Sequence, residues 1–189
     1  MDKSYKSRPP INNNILFSRA LLHRTICVPM INVGKNINQL LETYINKNYE
    51  GKCVVEGYVK PESSKLITYS SGKIKDINII FDVAFECSIC CPVEGMLLKC
   101  TAKNITKAGI RAEISNENPS PVVIFITRDH HYMSSAFSKV KEGDEISIRI
   151  IGQRFELNDK YISIIASLIE ERSGEVVRKT NAKPKLVLG

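Results

Sequence analysis

Four basic residues follow one another in the middle of the chain with no acidic residue between them: Lys99, Lys103, Lys107 and Arg111. Side chains alternate along a strand, so Lys99 and Lys103 are expected on one face, with Lys107 in the turn before Arg111. A basic strand-turn-strand can follow the phosphates of a single-stranded nucleic acid when aromatic side chains stack on the bases. Phe125 is one candidate for that stacking.

A second stacking candidate is Tyr132, and Arg128 adds a cation between the two aromatic residues. The sequence thus favours an RNA-binding surface made of Lys99, Lys103, Lys107, Arg111, Phe125 and Arg128. The same basic pattern also fits the solvated outer face of a barrel, in which Phe125 belongs to the core. Both alternatives stay open, because the sequence supplies the cations that such a site needs but few aromatic residues for stacking.

The spacing of Cys87 and Cys90, followed directly by Cys91, is one that zinc and redox sites use. A closed zinc site needs four ligands, and the sequence offers neither a second C-x-x-C nor an H-x-x-x-H pair. Within a strand, Cys87 and Cys90 also point to opposite faces. We therefore predict that these residues are small apolar side chains, with no metal site and no cofactor.

Catalytic motifs are not recognisable in the sequence. His130 and His131 are adjacent and therefore poorly placed to ligate one metal ion together. Walker, G-x-G-x-x-G, G-x-S-x-G and H-E-x-x-H patterns do not occur. We predict that the protein is not an enzyme. A thiol-dependent enzyme is the remaining alternative, and only the six cysteines speak for it.

The net charge of +7 suggests a polyanionic partner, but most of the charge lies in the tails. Residues 1–14 carry +2 and residues 172–189 carry +4, which leaves +1 for the 157 residues between them. Both tails are polar and contain Pro, so we expect basic disordered segments. No apolar leader or membrane span is seen, and reduced cysteines fit an intracellular protein that is not secreted.

Two patterns of hydrophobic residues divide the chain. Residues 15–90 predict a small α+β sheet: a strand from Ile15 to Val28, a helix after an Asn32 cap, and strands at Cys53–Val59, at Leu66–Tyr69 and from Ile79. Residues 91–171 predict five short antiparallel strands that form an OB-type barrel. The predicted barrel strands are Met96–Lys103, Ile110–Ile114, Val122–Ile126, Glu145–Gln153 and Tyr161–Leu168.

The order of several short motifs along both halves resembles the large stalk subunit of multisubunit RNA polymerases. This family includes the seventh subunit of eukaryotic RNA polymerase II and its archaeal counterpart, E-prime. The motifs are the helix Val33–Tyr49, Glu50-Gly51-Lys52-Cys53, Glu56-Gly57-Tyr58-Val59, Gly72-Lys73-Ile74, the strand Ile80–Cys87, Cys91-Pro92-Val93-Glu94-Gly95, Lys107-Ala108-Gly109-Ile110 and Val122–Ile126. The family commonly reads Pro-x-x-Gly-Glu-Val, whereas Glu94 precedes Gly95 here. Ile110 stands where the family often has an aromatic residue, which reduces the expected stacking.

The resemblance implies a tip domain over residues 15–90 that docks on the polymerase core, and an OB-fold domain over residues 91–171 that contacts nascent single-stranded RNA. It also implies a small helical stalk partner. The core-docking residues that we predict are Gly57, Tyr58, Val59, Pro61, Leu66 and Ile67. The abundance of Ile, Lys and Asn is typical of an AT-rich genome, such as that of a large DNA virus with its own polymerase. Transcription then takes place in the nucleus, or in a cytoplasmic viral factory with packaging into the virion.

The alternative function is a free-standing OB-fold RNA-binding protein of translation or RNA decay. In that case, the first half of the chain is an unrelated adaptor. Co-purification separates the two, because a stalk subunit accompanies large polymerase chains and a free RNA binder accompanies ribosomes or RNA.

Overall fold

The structure is a computed structural model and describes residues 16–114, 118–131 and 136–169. Tyr132 and the two predicted basic tails lie outside the described residues. The described part contains one α-helix, α1 (Ile37–Tyr49), and eleven strands. The strands are β1 (Phe17–Pro29), β2 (Cys53–Val54), β3 (Gly57–Val59), β4 (Lys65–Tyr69), β5 (Lys73–Lys75), β6 (Asn78–Cys90), β7 (Leu97–Ile105), β8 (Gly109–Glu113), β9 (Val122–Thr127), β10 (Glu145–Arg154) and β11 (Ile162–Leu168). None of the helices in these ranges has the length and apolarity that crossing a membrane requires.

The first sheet is antiparallel and is built around β6. One edge of β6 pairs with β1 along its whole length, from Asn78 opposite Pro29 to Cys90 opposite Phe17. The other edge pairs in turn with β5, β4 and β3, and β2 pairs with β3. Side chains alternate along β6, so Phe81 and Phe85 face α1 and pack in one core with Leu41. The predicted α+β architecture is confirmed.

Two predicted boundaries in this half are wrong. The helix begins after Asn36 rather than Asn32, because Val33 has an extended backbone, with φ −80° and ψ 104°. The predicted single strand Cys53–Val59 is instead the tight β2–β3 hairpin, in which Cys53 pairs with Tyr58 and Val54 with Gly57. Gly57 has a φ of +137°, a conformation that favours glycine, and so allows the chain to reverse there.

The second half is a closed barrel with strand order β10-β11-β9-β8-β7. Each predicted barrel strand lies within two residues of an observed strand, and the OB-type prediction is confirmed. The prediction of purely antiparallel pairing is wrong for one pair, since β9 and β11 run parallel. Parallel pairing between strands distant in sequence leaves no local turn signal.

Two apolar cores meet where the halves join. The core of the barrel also takes in four residues from the first half: Leu16, Cys53, Tyr58 and Cys90. Tyr58 points to the barrel, whereas its neighbour Val59 points to the core beneath α1. Cys53 also exchanges backbone hydrogen bonds with the loop before β11: its N–H donates to the Asp159 carbonyl at 2.7 Å, and its carbonyl accepts from Asn158 at 2.9 Å.

Candidate nucleic-acid interface

The outer surface of β8 and β9 carries an exposed cation beside an exposed aromatic ring. Arg111 on β8 lies directly opposite Phe125 on β9. Phe125 points out of the barrel and is 42% exposed, so it does not belong to the core. OB folds bind oligonucleotides on the surface of their second and third strands, which are β8 and β9 in this barrel. The pair offers a ring for base stacking with a cation beside it.

Arg111 is only partly available for phosphate contact, because its guanidinium pairs with the Glu113 carboxylate at 3.0 Å. Both residues are on the same strand and the same face, two positions apart. The Arg111 side chain remains half exposed, so it keeps donors that face solvent. The ion pair with Glu113 offsets part of the positive charge that Arg111 presents to a ligand.

The turn between β7 and β8 brings Lys107 to the same end of the barrel as Arg128. The Arg128 N–H donates to the Ala108 carbonyl at 3.0 Å. The turn comes this close because Gly109 has no side chain: a Cβ there would lie 2.3 Å from the Ile126 carbonyl oxygen. A cavity of about 290 Å³ lies along the turn and reaches Arg111 and Phe125.

The other two predicted lysines lie on β7, and only Lys99 is set apart from this group. Lys103 is exposed at an irregularity in the pairing of β7 with β8, between Ala102 and Asn104. Lys99 is half-buried and pairs with Ser147 of β10. β10 lies along one edge of β7, and β8 lies along the other. Four residues of strand, about 13 Å, separate the two lysines. The structure thus brings together Arg111 and Phe125 with the Lys107 turn and Arg128, and sets Lys99 apart.

A second cavity, of about 440 Å³, lies between the first sheet and the barrel and also includes Arg111 in its walls. Tyr161, just before β11, lines it and is 46% exposed. Sequence reasoning missed Tyr161 as a stacking residue. The only signal was its place after the Asn158-Asp159 turn, because OB folds also use the loop between their fourth and fifth strands.

Cys53, Cys87 and Cys100 are buried packing residues whose thiols are less acidic than an exposed thiol. Burial, and then the Asp159 charge, raises the pKa of Cys53 to about 12. Burial, and then Glu145, raises the pKa of Cys100 to about 12. Cys87 lies in the core beneath α1 and Cys90 in the barrel core, so the two thiols occupy different cores. Among the described residues, no three His, Cys, Asp or Glu side chains are placed to share a metal ion.

His131 is a buried structural residue. Its Nδ1 lies 2.8 Å from the Thr127 carbonyl, and its Nε2 accepts a hydrogen bond from the Leu168 N–H at 2.8 Å. The ring also stacks on Phe137, with centroids 5.3 Å apart. Both ring nitrogens are therefore used to join the end of β9 to the end of β11.

The predicted docking residues are divided between interior and surface. Three of them are buried: Gly57, Tyr58 and Val59. A partner protein cannot reach these side chains while the fold is intact. Pro61 and Ile67 are exposed and Leu66 is half-buried, so these three remain available for the docking that the sequence predicts.

An exposed apolar surface lies at the end of the first sheet that is remote from the barrel. We call it the distal patch, and it consists of Met30, Ile31, Ile74 and Ile77. Ile31 is 92% exposed and Ile77 is 78% exposed. The Met30 N–H donates to the Ile77 carbonyl at 2.9 Å, and Ile74 lies beside them on β5. Sequence reasoning missed the patch, although four large apolar residues next to turns were a usable signal.

Comparison with known proteins finds similarity along almost the whole chain. Over 194 aligned residues, the chain is 24% identical to a protein of Acanthamoeba polyphaga mimivirus named "Putative DNA-directed RNA polymerase subunit L376". The alignment covers 93% of this chain and 92% of the mimivirus protein. No protein-family profile matches the chain.

Proposed function

We propose that this chain is a non-catalytic subunit of a DNA-directed RNA polymerase, a stalk that joins the polymerase core to the emerging transcript. The observation that carries the proposal is the similarity to the mimivirus polymerase subunit over 93% of the chain. This similarity spans both halves, so it supports an RNA polymerase subunit rather than a shared OB barrel alone. The motif order of the two halves adds the stalk assignment.

The barrel supplies the proposed contact with RNA. Phe125 offers a face for one base, and Arg111, Arg128 and Lys107 offer cations along the same end of the barrel. Stacking and phosphate contacts of this kind bind single strands with little regard to sequence. A transcript of any sequence can therefore be held as it leaves the polymerase.

The distal patch supplies the proposed contact with the polymerase core. It lies at the opposite end of the first sheet from the barrel, because β6 runs from Asn78 beside the patch to Cys90 in the barrel core. Exposed apolar groups of this kind are uncommon on proteins without partners. A protein that bridges two partners needs two separated contact surfaces, and these two are separated by the length of β6. The proposed place of action is a cytoplasmic viral factory, and a small helical stalk subunit is a further proposed partner.

Co-purification tests the proposal. The full chain with an affinity tag, isolated from the cells that naturally make it, should bring down the large polymerase chains. The double substitution Ile31→Asp with Ile77→Asp should lower their recovery at least tenfold, because two buried carboxylates oppose an apolar contact. A matched control, Val55→Asp with Leu157→Asp, changes two other strongly exposed apolar residues, 76% and 64% exposed, and should leave recovery unchanged.

Two results would contradict the proposal. Recovery of ribosomes or free RNA without polymerase chains would favour the alternative of a free-standing RNA-binding protein. Equal polymerase recovery with the distal and control variants would show that docking uses another surface, such as that of Pro61, Leu66 and Ile67.

A further inference from the structure

The cleft of about 440 Å³ between the two halves is lined by residues of both. The first half contributes Gly51, Lys52, Tyr58 and Pro61, and the barrel contributes the outer side of β8, Val123 of β9, the turn Asn118–Ser120 before β9, and Asn158, Lys160 and Tyr161 before β11. The β2–β3 hairpin that forms one wall is held against the barrel by the hydrogen bonds of Cys53 and by the packing of Tyr58 in the barrel core. Clefts between two structural units are common places for ligands.

The charge in the cleft is suited to an anion. Among the described residues that line it, Lys52, Arg111 and Lys160 are cationic and Glu113 is acidic, and Glu113 pairs with Arg111. The Lys52 ammonium is anchored on the Lys47 carbonyl at the end of α1, at 3.1 Å. Lys160 is exposed, and it takes part in none of the ion pairs among the described residues. Its charge is therefore not offset within the described fold.

Tyr161 gives the cleft an aromatic surface at its edge. Tyr161 directly precedes β11, a position from which its ring could have entered the barrel core. The residue is instead 46% exposed. An exposed ring next to a lysine repeats the combination of Phe125 with Arg111 on the barrel surface. Single-strand binding sites combine these elements, a stacking ring and a cation, along the path of the strand.

The two cavities share one wall residue. Arg111 lines both the cavity along Phe125 and the cleft that holds Tyr161. A strand that stacks on Phe125 can therefore pass Arg111 and enter the cleft without leaving the protein surface. A partner protein fits this arrangement less well, because the two rings stand singly among cations instead of forming one apolar patch.

The geometry points to a second RNA subsite in the cleft between the halves. There a base of the same single strand stacks on Tyr161, and Lys160 and Lys52 contact its phosphates. This inference rests on the proposed contact of the barrel with RNA and extends it onto the first half of the chain. The transcript would thus be held across the joint and not by the barrel alone.

Binding of oligouridylates of two lengths to the full chain tests the subsite. Oligomers of about four and about twelve nucleotides lie within the range that one OB fold covers. Tyr161→Ala should weaken binding of the longer oligomer about tenfold and leave the shorter one unchanged, because the shorter one occupies the Phe125 surface. Lys160→Gln should flatten the plot of log affinity against log salt by about 0.7 for the longer oligomer only.

The controls separate stacking from folding. Tyr161→Phe keeps the ring and should keep the affinity for both lengths. Tyr69→Ala removes an exposed tyrosine of the first sheet, away from the cleft, and should also change neither. Phe125→Ala should weaken both lengths. Equal melting temperatures of the Tyr161 variants and the unaltered protein show that the fold is intact.

Three results would overturn the subsite. The first is unchanged binding of the longer oligomer by Tyr161→Ala while Phe125→Ala weakens both, which would confine RNA to the barrel surface. The second is a Tyr161→Ala variant that no longer co-purifies with the polymerase but binds RNA with unchanged affinity, which would make the cleft a protein contact. The third is no binding of either oligomer by the unaltered protein, which removes RNA from both sites. Only the co-purification experiment bears on the polymerase assignment itself.

Discussion

At the scale of single residues, exposure distinguishes the functional side chains from the structural ones. Phe125 and Tyr161 are aromatic residues that could have joined the barrel core, yet both remain near half exposed. His131 and Cys100 carry groups that proteins often use as metal ligands or nucleophiles. Their side chains are buried and bonded, His131 through both ring nitrogens and Cys100 by a thiol contact to the Ile146 carbonyl at 3.7 Å.

The buried thiols should lower the free energy of unfolding as the pH becomes alkaline. Burial raises the pKa of Cys53 and Cys100 to about 12 and, with Glu56 adding to burial, that of Cys87 to about 11. In the unfolded chain these thiols ionise near pH 8.5. The unfolded state therefore loses protons first, and the contribution of these thiols to the free energy of unfolding should be constant below about pH 8 and fall as the pH rises towards 11.

Chemical denaturation at a series of pH values measures this fall, which is at most about 1.4 kcal/mol per pH unit for each thiol. The exposed cysteines provide the control: Cys27→Ser with Cys91→Ser should keep the whole pH dependence. At about pH 8, a thiol reagent should modify those two residues in the native protein and the other four only after unfolding. Rapid modification of Cys53, Cys87 or Cys100 in the native protein would contradict their burial.

At the scale of elements, the turn between β7 and β8 depends on one glycine. A Cβ at Gly109 would lie 2.3 Å from the Ile126 carbonyl oxygen, a backbone atom that cannot rotate away. Gly109→Ala should therefore cost about 1–3 kcal/mol in the free energy of unfolding, as other forced insertions into packed sites do. Gly152→Ala is the matched control, because a Cβ there meets no atom within 4 Å.

Denaturant titration of both variants measures the difference, and RNA affinity gives a second readout. Gly109→Ala moves the Lys107 turn away from β9 and should weaken binding, whereas Gly152→Ala should change neither stability nor affinity by much. Equal stability of the two variants would mean that the turn can shift without cost.

Local pattern predicted the strands of the barrel well and the joint between the halves poorly. Alternation fixes β7 to β11 within two residues, because each strand has one buried and one exposed face. The β2–β3 hairpin reads as one strand, since Val55 and Glu56 at its turn carry no turn signature. The cleft and the exposure of Tyr161 depend on how the two halves pack against each other. The periodicity of hydrophobic residues along the chain carries no information about that packing.

At the scale of the whole molecule, the two halves share packing. The barrel core contains Tyr58 and Cys90 from the first half, and Cys53 bonds to the loop before β11. The domain boundary between residues 90 and 91 stays a prediction. Because the halves share packing across it, we expect their stabilities to be linked. That linkage also fixes the geometry of the cleft, because a loosened joint would separate Lys52 from Lys160.

Tyr58 provides the sharpest test of the linkage. It belongs to the first half, is 1% exposed and packs in the barrel core, so Tyr58→Ala should lower the free energy of unfolding by about 3–5 kcal/mol. Tyr58→Phe keeps the ring and should cost less. Hydrogen exchange read separately in α1 and in β8 and β9 should show both regions losing protection together in the alanine variant. If α1 loses protection while the barrel strands keep theirs, the halves unfold independently. RNA binding in the cleft would then require the joint to form first.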